Sequence, residues 1–203
     1  MFARVFLLLI CLLSLNGCAT SAFRQSWSAP DAHAYPLGKT VVFAMLPVEA
    51  DRRRSEDLFA QVLAPAMDVT AGYAVVAEAP AGAPELAKAK ARAAQQGFGS
   101  VLVVKVVSTR DELVYQPGVN PFFGPGFGYP GRRGMIGHPF MMDPGYYEKV
   151  RIAVVELSLY ASRDDHLLWT ASTEVLDSSR LDRVVRTLAD AMLKDLVAKG
   201  VLP

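Results

Sequence analysis

The sequence predicts an α/β domain built on a mixed five-stranded sheet with three helices, in the order β-α-β-α-β-β-β-α. Three observations carry that prediction. Short β-branched runs alternate with amphipathic segments in steps of about thirty residues, the rhythm of right-handed βαβ units and parallel strands. Two long apolar runs then follow one another across the short turn Ser162-Arg163-Asp164-Asp165, which by length and turn chemistry makes a hairpin. A last segment repeats apolar residues at helical spacing.

Taken in order, Thr40 to Leu46 (TVVFAML) is β-branched and aromatic and stops at Pro47, which reads as a buried strand. Ser55, with Glu56 and Asp57 behind it, offers an N-cap and an acidic first turn. Leu58, Phe59, Val62, Leu63 and Ala66 then share one face, so a helix is expected over 54–64, weakened near Pro65. Tyr73 to Ala77 (YAVVA) is the second strand. Pro84 suits the first position of a second helix whose alanines and Leu86 face inward until Gly97 stops it. Ser100 to Val107 is the third strand, Lys149 to Tyr160 the fourth, and His166 to Val175 the fifth. The third helix runs from Ser179, as N-cap, to Ala198, with Leu181, Val184, Val185, Leu188, Met192 and Leu196 in one stripe and Gly200 ending it.

Ahead of the domain, Met1 to Gly17 carries one positive charge at Arg4 and an apolar run from Val5 to Leu13. This is the layout of a secretory signal, too short for the ~20 residues that span a hydrocarbon core. The tetrad Leu15-Asn16-Gly17-Cys18 resembles the lipobox of bacterial lipoproteins, although Asn16 is an uncommon middle residue. That resemblance implies cleavage before Cys18 and acylation of it, and several acyl chains at ~0.8 kcal/mol per buried methylene make the anchor permanent. Ala19 is not the aspartate that retains lipoproteins in the inner membrane of enteric bacteria, so the resemblance implies the periplasmic face of the outer membrane. Residues 18–38, rich in serine, alanine and proline, read as a lipidated tether, with Trp27 and Tyr35 either at the lipid interface or packed on the domain. The periplasmic domain is then 39–203.

Loss of the leader removes Arg4 and leaves 20 of the 21 basic residues against 20 acidic ones. That balance speaks against nucleic acid as a partner. Cys11 leaves with the leader, so the mature domain has no cysteine pair and no thiolate for catalysis or metal.

The element order, the lipobox, the Gly/Pro/aromatic insert between strands three and four, and the ending VRIAVVELSLYASRDDHLLWTAS with a terminal helix resemble small bacterial lipoproteins grouped as domains of unknown function. The layout is also similar to the TolB amino-terminal-like fold of periplasmic activator lipoproteins and of the soluble part of the curli secretion channel. The resemblance covers roughly 39–202 and rests on element order rather than a discriminating motif. It implies binding or assembly roles and carries over no catalytic residue.

The insert, 116–145, has glycine or proline at nearly every third or fourth place, yet it holds Phe122, Phe123, Phe127, Tyr129, Met135, Ile136, Phe140, Met141 and Met142. Three readings stand open. The loop folds its aromatics onto the sheet edge; or Phe122, Phe123, Phe127 and Tyr129 with Arg132 and Arg133 anchor a partner; or the loop enters the headgroup layer or joins neighbouring copies.

Other chemistry finds little support. His33, His138 and His166 are scattered without ligand spacing, so no metal is expected. No Gly-x-Ser-x-Gly elbow and no phosphate-cradling glycine loop occurs, so no cofactor is expected. Asp111-Glu112 and Asp164-Asp165 read as turn and solubility residues. Arg52-Arg53-Arg54 reads as a solvated face, with contact to anionic lipid or an acidic partner as the alternative. Glu78, Lys105 and Glu156 read as edge or outward positions. The expectation is a membrane-anchored periplasmic lipoprotein that is not an enzyme and acts as a binding or adaptor module for another envelope component. The alternatives are a homo-oligomeric subunit of a secretion or assembly complex and, in another class, an envelope hydrolase.

Overall fold

The β-branched runs become strands and the amphipathic segments become helices in the computed structural model, which describes residues 23–78, 80, 82–117, 145–176 and 180–203. The elements are β1 Gln25–Ser28, β2 Thr40–Met45, α1 Glu49–Leu63, β3 Val69–Ala71, α2 Ala83–Gln95, β4 Ser100–Gln116, β5 Tyr146–Ala161, β6 Leu167–Leu176 and α3 Leu181–Ala198. Single turns of 3-10 helix lie at Ala32–Ala34 and Gly72–Ala74.

The strands form one open mixed sheet of six, in the order β1-β6-β5-β4-β2-β3, rather than the five expected. Parallel pairing joins β2 to β3 and to β4, and antiparallel pairing joins the rest. The added strand is β1, inside the segment expected to be a tether. Phe23 is buried edge-on against Trp169, at 5.7 Å between ring centroids, and fixes where β1 begins. The indole Nε1 of Trp169 donates to Asp195 at 2.7 Å, and Ser26 Oγ donates to the same carboxylate at 3.2 Å, so one side chain of α3 ties β1 to β6. Four residues at a sheet edge are too few to show a period, which is why composition alone suggested a tether. Tyr35 also packs on the domain, stacked on His166, whereas Trp27 stays 48% exposed.

Two expected elements shift. The second strand is Val69–Ala71, because Gly72 must turn beneath β2: a Cβ there would overlap the Phe43 ring and the Val42 carbonyl. The first helix begins at Glu49, two residues after Pro47, with Val48 as its N-cap and Glu49 and Asp51 in its first turn. Ser55 is therefore an interior residue and not an N-cap. Ser179, expected to cap α3, lies outside the described residues. The sequence placed α2 correctly, with Pro84 in its first turn and Gly97 ending it at φ +83°.

One face of the sheet packs α1 and α3 over the larger core, which includes Val42, Leu58, Phe59, Leu102, Leu157, Trp169, Met192 and Leu196. Each such buried side chain contributes about 1.5–3 kcal/mol. The other face holds α2 over Val41, Phe43, Ala89, Ala93, Val101 and Val103. The cover of α2 is confined to the β2 and β4 side, so the strip running across β5 and β6 on that face is polar. It carries Glu156, Ser158, Thr170 and Ser172 and ends at Trp27. Among the described residues no helix is long and apolar enough to cross a membrane.

Candidate functional site

The third and fourth expected strands are longer than their apolar cores. Leu176, the last residue of β6, pairs with Ile152, and β2 ends at Met45, level with Lys105. Past those points β4 and β5 pair only with each other, from Asp111↔Arg151 to Gln116↔Tyr146. A two-stranded ribbon is marginal in water unless its side chains support it. Here they do. Asp111 receives Lys149 at 2.8 Å and Arg151 at 3.3 Å, first Lys149 and then Arg151 holding its carboxyl below the usual range. Gln116 Nε2 donates to Glu148 at 3.2 Å, and the Tyr115 and Tyr147 rings meet at 5.3 Å. Opposed residues share a face, so Leu113, Tyr115 and Tyr147 lie on one side and Val114 and Tyr146 on the other. Leu113 is 70% exposed and Tyr147 68%, with Tyr146 and Tyr115 also exposed.

This ribbon is where the chain enters and leaves the insert. Phe122, Phe123, Phe127, Tyr129, Arg132 and Arg133 lie outside the described residues, as do His138 and Cys18. The ribbon itself escaped sequence reading because Ser108 to Glu112 is polar on both faces. A bulge between Val106 and Ser108 also breaks the alternation. The signal that could have found it is the matching length of the tyrosine-rich start of β5.

A second constellation overturns the solvated-face reading of Arg52. Its guanidinium is wholly buried. Nε and Nη2 donate to the two oxygens of Glu49, each at 2.7 Å, Nη1 donates to Glu56 at 3.2 Å, and Nη2 reaches the Ala77 carbonyl at 3.4 Å. Glu56, equally buried, accepts the backbone N–H of Ala44 at 3.1 Å and of Tyr73 at 2.8 Å. β3 runs out at Ala71, opposite Val42, so this carboxylate supplies the acceptor that a longer strand would have given Ala44. Burial pushes the Glu56 carboxyl up, against the two N–H groups and Arg52. Hydrogen bonds from Arg52 and then Arg53 bring Glu49 down to about 2. Arg53 and Arg54 do face solvent, paired with Glu49 and Asp182. The arrangement pins α1 to β2 and to the turn after β3.

Most of the other singled-out residues that the structure describes are also paired. Lys105 and Glu156 meet across β4 and β5 at 2.8 Å, and Glu78 is exposed. Asp164 and Asp165 sit in the β5–β6 turn, where Asp164 accepts from Tyr35 and Asp165 from Lys90. His166 stacks on Tyr35 and contacts Asp31 at 3.2 Å. Among the described residues no three potential ligands gather as an ion would require. The described residues include two shallow clefts among others. One, of about 310 Å³, lies between Tyr35, Phe98 and Arg163, and the other, of about 370 Å³, lies between Trp27, Glu156 and Ser172.

No family model matches the chain. No curated protein matches it. Among solved structures it is similar to a PelC dodecamer from Paraburkholderia phytofirmans, at 18% identity and a TM-score of 0.44 over 88% of this chain and 95% of that one. It is also similar to the lipoprotein GNA1162 from Neisseria meningitidis, at 14% identity and a TM-score of 0.39 over 78% of this chain and 99% of that one. The likeness spans most of each chain at low identity and assigns no residue a role.

Proposed function

We propose that this chain is a lipoprotein acylated at Cys18 on the periplasmic face of the outer membrane, whose α/β domain binds another envelope component without catalysing a reaction. The observation that carries the reading is Leu15-Asn16-Gly17-Cys18 set directly behind the apolar run Val5 to Leu13. Cleavage before Cys18 leaves every described residue, from Phe23 on, in the mature chain. In favour of binding over catalysis, the described polar clusters are spent on holding strands and helices together, Arg52 and Glu56 on β2, Asp195 on β1 and β6, and Asp111 on the ribbon. Phe122, Phe123, Phe127, Tyr129, Arg132 and Arg133 belong to the proposal as partner anchors, carried on the end of an exposed ribbon.

Two experiments test it. Mass spectrometry of the exported protein reads a diacylglyceryl and acyl mass on Cys18, which a Cys18→Ala chain lacks along with its place in the outer-membrane fraction. A photoreactive residue at Phe123 in living cells should then capture one envelope protein, with loss of capture when Phe122, Phe123 and Phe127 become serine. Capture that survives the triple change would remove the insert from the reading. Light scattering of the chain without its anchor should give one chain mass, and a fixed multiple would replace the adaptor by an oligomeric subunit.

A further inference from the structure

We propose that the β4–β5 ribbon is a membrane-contact element, with Leu113, Tyr115, Tyr146 and Tyr147 seated in the headgroup layer of the bilayer that holds the anchor. The inference rests on the acylated-Cys18 reading, and it follows from where the folded chain starts, which way the ribbon points and what its side chains are.

The leash is short. Phe23 is already buried against Trp169, so only the steps from residue 18 to residue 23 join the lipidated cysteine to the fold. Fully extended, they reach at most about 18 Å. A domain expected to swing on a twenty-residue tether is instead held close to the bilayer.

The leash and the ribbon leave the same end of the sheet. β1 is antiparallel to β6 with Gln25 opposite Ser172, and the Arg24 side chain reaches Glu174 at 2.7 Å, so moving from β1 toward residue 23 moves toward the end of β6. Glu174 pairs with Val154, and Val154 with Ser108. Continuing in that direction, β5 runs on from Val154 to Tyr146, about 27 Å of strand. The ribbon therefore projects toward the side from which the anchor comes, and along the strand axis it exceeds the full reach of the leash. The opposite end of the sheet carries the charged β5–β6 turn, with Arg163, Asp164 and Asp165.

The ribbon has interfacial chemistry. Tyrosine combines an apolar ring with a polar tip and concentrates where hydrocarbon meets water. Three tyrosines, Leu113 and Val114 crowd the outer part of the ribbon on both faces. Most of the charges lie at or near its base and are paired, Asp111 with Lys149 and Arg151, and Arg110 with Glu112 and Glu174, while Glu148, in the outer part, accepts from Gln116. Attraction to anionic lipid is therefore not the driving term, and neutral headgroups serve as well. Nor does the contact have to be strong on its own, since a short leash supplies a millimolar effective concentration of membrane.

The test uses the full chain, exported and acylated in a bacterial host, then reconstituted into phosphatidylethanolamine and phosphatidylglycerol vesicles. Cys11 leaves with the leader and the Cys18 thiol is blocked by lipid, so one added cysteine takes a nitroxide label cleanly. Labels go at Leu113→Cys and Tyr147→Cys on the ribbon, with Arg163→Cys as the far-end control. The expected result is relaxation by oxygen over a soluble nickel complex at both ribbon positions and the reverse order at residue 163. Ribbon labels that meet nickel as freely as residue 163 overturn the inference, and so does dipolar broadening without oxygen access, which assigns the ribbon to a second copy. Mass spectrometry of the N-terminal peptide from the same sample separates the failures. An acylated peptide with solvent-facing ribbon labels sinks only the ribbon contact, whereas an unmodified peptide sinks the anchor reading and the contact with it.

Discussion

Arg52 is the first of three consecutive arginines, and its two neighbours behave as such a run usually does while it is buried completely. The helix delivers Glu49, three residues before, and Glu56, four after, to one guanidinium, and the difference from Arg53 is that Glu56 is held inside by the Ala44 and Tyr73 N–H groups. The residue types were visible in the sequence. Burial was not, because it depends on β3 ending early enough for Glu56 to reach the Ala44 N–H. Arg52→Ala strands a buried carboxylate and should cost about 3–5 kcal/mol in urea unfolding. Ser55→Ala, nearby on the same helix, should instead be neutral or stabilising by up to about 1 kcal/mol, since the Ser55 hydroxyl is buried with no hydrogen-bond partner among the described residues. Equal losses at the two positions would show that the buried pair has no special weight. The carboxylates flanking Arg52 also respond to pH in opposite senses. Glu49, lowered from 4.5 to about 2, favours the fold above its unfolded value, and that contribution is lost as pH falls from 4.5 toward 2. Glu56, raised by burial, contributes fully at acid pH and loses its contribution as pH rises through its folded value. Glu49→Gln should therefore flatten the acid limb of a stability profile between pH 4.5 and 2. An unchanged slope there would assign the limb to other carboxylates, of which Asp182, lowered chiefly by Arg54, has the same sign.

At the scale of elements, the legible ones are those whose stability comes from their own apolar pattern. β2, α2, β6 and the stripe of α3 lie within a few residues of where valine, leucine and alanine spacing put them. What escaped is held by partners distant in sequence. β1 exists because Phe23 finds Trp169 and Ser26 finds Asp195, about 150 residues or more downstream, and the ribbon exists because Asp111 finds Lys149 and Arg151. Of the six proposed partner-contact residues none lies among the described residues, so the insert was legible only as composition, while the ribbon that carries it is visible in the structure alone. If Phe23 is the clamp, Phe23→Ala should cost about 3 kcal/mol and should release β1 before the rest of the sheet. Amide exchange at Ser26 to Ser28 would accelerate more than at β5, and Trp169, now exposed on one side, would shift its emission to the red. Uniform acceleration across the sheet would mean that β1 is an integral strand rather than a clamped addition.

Seen as a whole molecule, and with Cys18 acylated as proposed, the sheet sets a distance between the lipid and the ribbon, and that distance is the quantity to perturb. Inserting twenty glycine and serine residues between Ser21 and Ala22 changes no described contact, because the described chain begins at Phe23. A leash of about twenty-five residues has a root-mean-square span of about 25–30 Å, so the domain could turn its ribbon away from the bilayer. The effective concentration of membrane at the ribbon falls roughly as the −3/2 power of leash length, about tenfold for a fivefold longer leash. Oxygen relaxation of a Leu113→Cys label should drop toward the solvent value, while acylation at Cys18 and the unfolding midpoint in detergent stay where they were. Were the label to remain at its original depth, the ribbon would bind the interface by its own affinity, and the short leash would be a consequence of β1 joining the sheet rather than the device that holds the ribbon down.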